Sequence, residues 1–116
     1  MTINTFLEKL KKTPESVDFK ETMAVIADNY VYSPAEFMNG ELCNQAGTNE
    51  GSCKIFAFGR LNQLSDAETL ACFGDYYRKD VLENPTASDH GNIRNFMETG
   101  WSGIEFKSPA LAMKGE

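Results

Sequence analysis

Residues 53–80 constrain the fold most, because they join an apolar run to a capped helix signal across a short polar link. Within the apolar run, residues 54–58, an extended chain would place Ile55 on one face and Phe56 and Phe58 on the other. Apolar groups on both faces indicate a strand that is covered on both sides. The run therefore predicts a buried strand at residues 54–58.

The helix signal at residues 64–68 is a capping box. Ser65 can accept a hydrogen bond from the Glu68 amide, while the Glu68 carboxylate reaches back to the Ser65 amide. We expect this helix to continue to Asn84, where the following proline ends it. Residues 75–80 mix charged and aromatic side chains, and we interpret about half of this group as a solvated face of the same helix. Its buried stripe would consist of Leu70, Phe73, Tyr77 and Val81.

Two further helices are expected before residue 31. The first begins near the N-terminus and stops near Thr13, because a residue that precedes proline avoids the helical conformation. The second begins at Asp18, which can cap it, with Glu21 three residues on. Ser33 followed by Pro34 predicts another short turn of helix.

The remaining segments give shorter signals. The pair Asn39-Gly40 either ends that turn of helix or forms a two-residue hairpin, and the local sequence leaves both open. Residues 92–97 predict a short helix that stops at Gly100, with Trp101 folding back on Phe96. Residues 104–106 predict a last strand, and the tail, residues 107–116, has little to anchor it.

Length and composition indicate one domain. The chain has 116 residues, and its hydrophobic fraction of 41% can fill a single core. We expect one domain over residues 1–116 with an α+β fold, in which about four helices pack around a small sheet. The sheet would contain residues 54–58 and 104–106, because strand signals are few and are not evenly interleaved with helices.

Charge and cysteine content narrow the classes of partner and compartment. A net charge of -6 makes nucleic acid and anionic membrane surfaces unfavourable partners. No stretch approaches the ~18 consecutive apolar residues of a membrane span. The three cysteines cannot all pair within one molecule, and the N-terminus lacks a secretory signal pattern. We therefore expect a cytoplasmic protein with reduced thiols.

A polar loop over residues 44–52 is the strongest candidate for a functional surface. We expect it to act together with two residues before the last helix, because a polar loop on a rigid support offers free hydrogen-bonding groups. A protein partner or a small ligand would bind there. The alternative interpretation is that the loop asparagines merely satisfy turns of their own. The candidate binding residues are Asn44, Asn49, Ser52, Asp89 and His90.

A second hypothesis makes the protein a small hydrolase-like enzyme, with Cys53 as nucleophile and His90 as base. A cysteine in an apolar stretch is more often an inert core residue, so we expect Cys53 and Cys72 to be buried and Cys43 to be exposed. His90 is the only histidine and no two cysteines are closely spaced, so no metal site is expected. No signal for a cofactor is present, and none is expected.

Several short motifs together carry a resemblance to a known family. They are NGEL at residues 39–42, GSCKIFAFG at 51–59, TLACFGDYYR at 69–78, DHxNIRNFM at 89–97 and GW at 100–101. Taken in this order, they resemble the HopJ family of type III effector proteins, and the likeness extends from about Phe6 to Phe106.

The resemblance implies a bacterial protein whose family is named after an effector delivered by type III secretion. It implies no catalytic residues and no cofactor, so it indicates identity more than mechanism. The N-terminus differs from the unstructured, serine-rich start that is usual for such secretion, because residues 3–10 have helical spacing. Secretion is therefore an implication of the resemblance alone, beside the expected cytoplasmic location.

Overall fold

The computed structural model describes residues 2–114, and within them the chain forms five α-helices and five short strands. The helices are α1 (Ile3–Lys12), α2 (Phe19–Asn29), α3 (Glu50–Leu61), α4 (Asp66–Ala71) and α5 (Gly91–Thr99). The strands are β1 (Tyr30–Tyr32), β2 (Phe37–Asn39), β3 (Leu42–Asn44), β4 (Ile104–Phe106) and β5 (Leu111–Met113). Two 3-10 turns, Pro14–Ser16 and Gly100–Gly103, and a π-helix, Tyr76–Val81, complete the regular structure of this part of the chain. Between residues 2 and 114, no helix has the length and apolar character that crossing a membrane requires.

The strands form two small antiparallel sheets, which confirms the α+β class. In one sheet β1 pairs with β5, and Tyr32 lies opposite Leu111. In the other the order is β3-β2-β4, so the hairpin β2–β3 extends onto the predicted last strand. A hairpin therefore forms here, but its two turn residues are Gly40 and Glu41, one position later than predicted, because Asn39 still pairs with Leu42. Gly40 occupies the turn with a φ of +62°.

The prediction of a strand at residues 54–58 is wrong, because these residues lie in the middle of α3. Ile55, Phe56 and Phe58 point in different directions from the helix axis, and all three are buried because α3 runs through the core. A helical segment that is buried on all sides has the same short apolar run in its sequence as a strand that is covered on both faces. Periodicity therefore cannot distinguish the two. The buried residues of α3 are Cys53, Ile55, Phe56, Ala57, Phe58 and Gly59.

The capping box at Ser65 is confirmed. Ser65 Oγ accepts from the Glu68 amide at 3.1 Å, and the Ser65 amide donates to Glu68 Oε1 at 2.9 Å. The helix does not continue to Asn84, however, because α4 ends at Ala71 and Gly74 turns the chain with a φ of +61°. A Cβ atom at residue 74 would lie 2.6 Å from the Phe19 nitrogen, so only glycine fits this contact.

Elsewhere in the chain, two predictions are confirmed and two are corrected. Helix α1 stops before Thr13 and Asp18 Oδ1 caps α2 by accepting from the Glu21 amide, both as predicted. Residues 33–36 contain no helix, because the segment joins β1 to β2 and the Ser33 amide donates to Ala110 O. The tail is anchored rather than loose, since β5 pairs with β1 and Leu111 is buried.

Trp101 closes the end of α5 as expected. Its ring packs edge to face on Phe96 with centroids 5.2 Å apart, and its Nε1 donates to Leu64 O at 2.8 Å. Gly100, between them, has a φ of +60°. The tryptophan therefore connects the end of α5 to the start of α4 and packs against the hydrophobic core.

We predict that Ser65→Ala lowers the free energy of unfolding by about 0.5–2 kcal/mol without changing the fold. The reason is that the Glu68 amide loses its acceptor. Urea denaturation checks this, with Ser65→Asp as the matched control because aspartate also caps helices. Identical midpoints for Ser65→Ala and the unmodified protein would mean that the cap contributes no stability.

Candidate functional site

A cleft of about 460 Å³ opens where the first turns of α3 and α5 meet. The start of α3 contributes Asn49, Gly51 and Ser52, and the start of α5 contributes residues 90–93. The other lining side chains are apolar or aromatic and come from four further parts of the chain: Phe19, Leu42, Phe73 and Tyr76. The cleft thus combines polar groups of two helix starts with an apolar wall.

The two helix starts share an uncommon backbone conformation. Asn49, before α3, has φ 49° and ψ 48°, and His90, before α5, has φ 53° and ψ 50°. Both lie in the left-handed region, where asparagine and histidine are enriched among non-glycine residues. Neither side chain caps its helix. The first-turn N–H groups therefore lack partners within their own helices, and two positive helix ends lie at one cleft.

A row of three rings forms part of the cleft wall. The Phe19 and Tyr76 rings pack edge to face at 5.0 Å, and the Tyr76 and His90 rings lie 5.3 Å apart. His90 Nε2 is 3.0 Å from Asp80 Oδ2, and Asp80 lies on the same π-helix as Tyr76. Gly51 permits the row to approach α3, because a Cβ there would lie 2.8 Å from Phe19 Cζ.

A chain of asparagine amides, buried except at Asn49, supports the cleft. Asn44 and Asn92 form a reciprocal pair, in which each Nδ2 donates to the other Oδ1, at 3.1 and 2.8 Å. Asn49 Nδ2 donates to Asn44 Oδ1 at 2.7 Å, and Asn39 Nδ2 donates to Asn92 Oδ1 at 3.0 Å. Asn39, Asn44 and Asn92 are all buried. The chain links the β2–β3 hairpin to the starts of both helices.

The structure brings three of the five candidate binding residues to one cleft: Asn49, Ser52 and His90 line it. Asn44 is not among the lining residues and lies in the chain of asparagine amides. Asp89 lies outside the cleft lining, where its Oδ1 accepts from Arg94 Nη2 at 2.7 Å, and this hydrogen bond lowers the pKa of Asp89. The function of these residues stays a prediction.

Two details of the sequence-based site differ from the structure. The loop is shorter than residues 44–52, because Asn44 ends β3 and α3 begins at Glu50. Sequence reasoning also missed Tyr76 and Asp80, which belong to the group that it interpreted as about half solvated. The sequence did show a dense group of charged and aromatic residues at 75–80. It did not show the turn at Gly74 or the π-helix, which together bring Tyr76 and Asp80 beside His90.

The structure does not pair Cys53 with His90. Cys53 Sγ is buried and donates to Ala35 O at 3.7 Å, whereas the imidazole contacts Asp80 and Tyr76. Burial raises the pKa of the Cys53 thiol, which disfavours the thiolate that a nucleophile needs. Within residues 2–114, no cluster of three or more His, Cys, Asp or Glu side chains is placed to hold a metal ion.

We predict that only one of the three thiols reacts quickly with a chromogenic disulfide at pH 8. Cys43 is exposed, whereas Cys53 and Cys72 are buried, and burial raises the pKa of Cys72 to about 12. A raised pKa keeps the thiol protonated until the pH rises, so both buried groups should stay slow. Cys43→Ser should remove the fast phase, and unfolding should expose all remaining thiols. Fast labelling of Cys53 that is lost in His90→Asn would instead support the enzyme hypothesis.

Nearly the whole chain matches a known family. The sequence profile described as HopJ type III effector protein matches residues 3–111, which confirms the resemblance found in the sequence. The chain is also similar to VPA0580, a protein of unknown function with a crystal structure. The two share 56% identity over 98% of this chain and 95% of that chain, with a TM-score of 0.97. No curated protein matches the chain. Because the profile covers most of its residues, the chain belongs to the HopJ type III effector protein family.

Proposed function

We propose that this HopJ-family protein acts by binding a small ligand in the cleft between the starts of α3 and α5. The observation that supports the proposal is the convergence, in one cleft, of hydrogen-bonding groups from two helix starts with an aromatic wall. Ligand sites in proteins combine a mostly apolar lining with a few fixed polar groups in this way.

The volume of the cleft favours a small molecule over a peptide. At about 460 Å³ it falls within the roughly 300–1,000 Å³ of small-molecule and cofactor sites. A protein partner would use a broader surface, typically about 800 Å² on each side. We therefore prefer the small ligand to the protein partner.

The polar groups of the cleft favour a ligand that carries a hydrogen-bond acceptor. Ser52, Asn49 and His90, whose side chains carry a hydroxyl, an amide and an imidazole, all line it. The N–H groups of the first helical turns add donors, and the helix dipoles favour partial or full negative charge beside them. A carbonyl, a ring nitrogen or a single carboxylate on the ligand meets these conditions.

The cleft is held in shape by its surroundings. The chain of asparagine amides fixes Asn49 and Asn92, and the Asp80 carboxylate orients the His90 ring. A preformed site loses little conformational entropy when a ligand binds.

All three cysteines are free, which supports action in the reducing bacterial cytoplasm as part of this proposal.

The experiment is a fragment screen followed by amide chemical-shift mapping on the isotope-labelled protein. We predict that the fragments that bind shift the amides of Gly51, Ser52 and Gly91 together, because these groups line one cleft. Fragments that shift only amides elsewhere on the domain would contradict the proposed site.

A pair of matched variants sharpens this screen. His90→Asn should weaken the fragments that bind by several-fold, because it removes the imidazole while asparagine tolerates the left-handed backbone. Gln63→Asn is the control, since Gln63 has a similar φ of 56° but does not line the cleft. If the two variants bound the fragments with equal affinity, His90 would not contribute to ligand binding.

A further inference from the structure

Tyr76 is unusually exposed for an aromatic residue that packs against other rings. Its exposed fraction is 44%, although its ring contacts the rings of both Phe19 and His90. Phe19 and Tyr76 also border a second hollow of about 340 Å³, so the two rings stand as a ridge between two concave surfaces. The Tyr76 ring is therefore held in a fixed place while much of its surface stays open.

The backbone around Tyr76 fixes this position. The π-helix Tyr76–Val81 begins two residues after Gly74, which contacts the start of α2 directly. The Arg78 guanidinium donates to the carbonyl oxygens of Pro14, at 3.2 Å, and Val17, and so ties the π-helix to the segment before α2. Short π-helical segments recur at functional sites in proteins. The open ring surface thus belongs to a rigid support rather than to a mobile loop.

We propose, resting on the proposed function, that the ligand of this cleft carries a planar ring that stacks on Tyr76, and that Tyr76 determines this specificity. Aromatic rings attract each other at offset or edge-on geometries beyond the effect of buried area alone. The row of Phe19, Tyr76 and His90 offers such geometries, whereas a saturated ring or an aliphatic chain gains only the burial.

The residues that line the cleft also limit the charge that the ligand can carry. Among the residues that line the cleft there is no lysine or arginine. Recognition of phosphate groups usually relies on such cations, and the net charge of -6 opposes dianions. The ligand class is therefore a flat aromatic molecule that is neutral or carries one acidic group, with its acceptor near Ser52 and the helix starts.

The test uses three probes on the isotope-labelled, full-length protein: cinnamate, cinnamamide and cyclohexylpropionate. Cinnamate and cyclohexylpropionate share one carbon skeleton and one carboxylate, but cinnamate has a flat ring joined to a flat alkene, whereas the ring and the side chain of cyclohexylpropionate are both saturated. Cinnamamide keeps the flat framework without the charge, so its comparison with cinnamate shows what the charge contributes. Affinities come from the shifts of the Gly51, Ser52 and Gly91 amides during titration.

We expect cinnamate to bind at the cleft roughly two- to tenfold more tightly than cyclohexylpropionate, which is the range that aromatic pair energies give. Tyr76→Phe should keep this preference, because the ring remains. Tyr76→Leu should abolish it while the weak binding of cyclohexylpropionate stays unchanged. Leu82→Ala, an exposed position on the same segment that does not line the cleft, is the control for unspecific effects.

The outcomes separate this inference from the proposed function. Equal binding of the flat and saturated probes at the cleft, or an unchanged preference in Tyr76→Leu, would overturn the ring-stacking inference and leave the cleft as a ligand site. Failure of all three probes to shift the cleft amides, in a protein whose thermal unfolding is normal, would overturn the inference. If a broad fragment screen also left those amides unshifted, the proposed function would fall with it.

Discussion

The reciprocal amide pair between Asn44 and Asn92 is the interaction on which the cleft depends. It joins the end of β3 to the first turn of α5, two elements that are far apart in the sequence. Asn49 extends the pair to the start of α3. The Asn44 and Asn92 amides are buried and costly to leave unpaired, at about 1–3 kcal/mol each, so the arrangement that satisfies them is strongly preferred. Both helix starts are consequently held side by side.

Helix α3 supplies the rigid base for this arrangement. Phe56 contacts rings from β2, from α5 and from the segment after α4, and Phe58 contacts rings from α1 and the start of β1. Burial of a phenylalanine contributes roughly 1.5–3 kcal/mol, so α3 is fixed by several such contacts at once. The start of the same helix forms one side of the cleft. The core and the candidate site therefore share one element.

Local signals in the sequence predicted the features that local chemistry decides. The Ser65 capping box, the Asp18 cap and the stop before Pro14 each depend on residues within a few positions of one another, and all three are present. The run at residues 54–58 was misassigned because burial on all sides hides helical periodicity. The position of residues 54–58 in the tertiary structure, rather than their own pattern, decides that they form a helix.

The candidate site was predictable only in part, for a related reason. Asn49, Ser52 and His90 were named from loop polarity and helix-start position, but their meeting at one cleft depends on the long-range amide pair. Asn92 carried no separate signal in the sequence, and the dense group of residues 75–80 did not show that Tyr76 and Asp80 would lie beside His90. Asn92 looked like an ordinary helix residue, and the π-helix that orients Tyr76 follows from the contact between Gly74 and α2.

A double-mutant cycle on Asn44 and Asn92 tests the central claim most directly. The free energies of unfolding of Asn44→Ala, Asn92→Ala and the double variant would be measured by urea denaturation. The account predicts that each single change costs about 1–3 kcal/mol, because it strands the partner amide. The double change should then cost at least ~1 kcal/mol less than the sum. Costs that add to within about 0.5 kcal/mol would show that the two amides act independently, and would contradict the account.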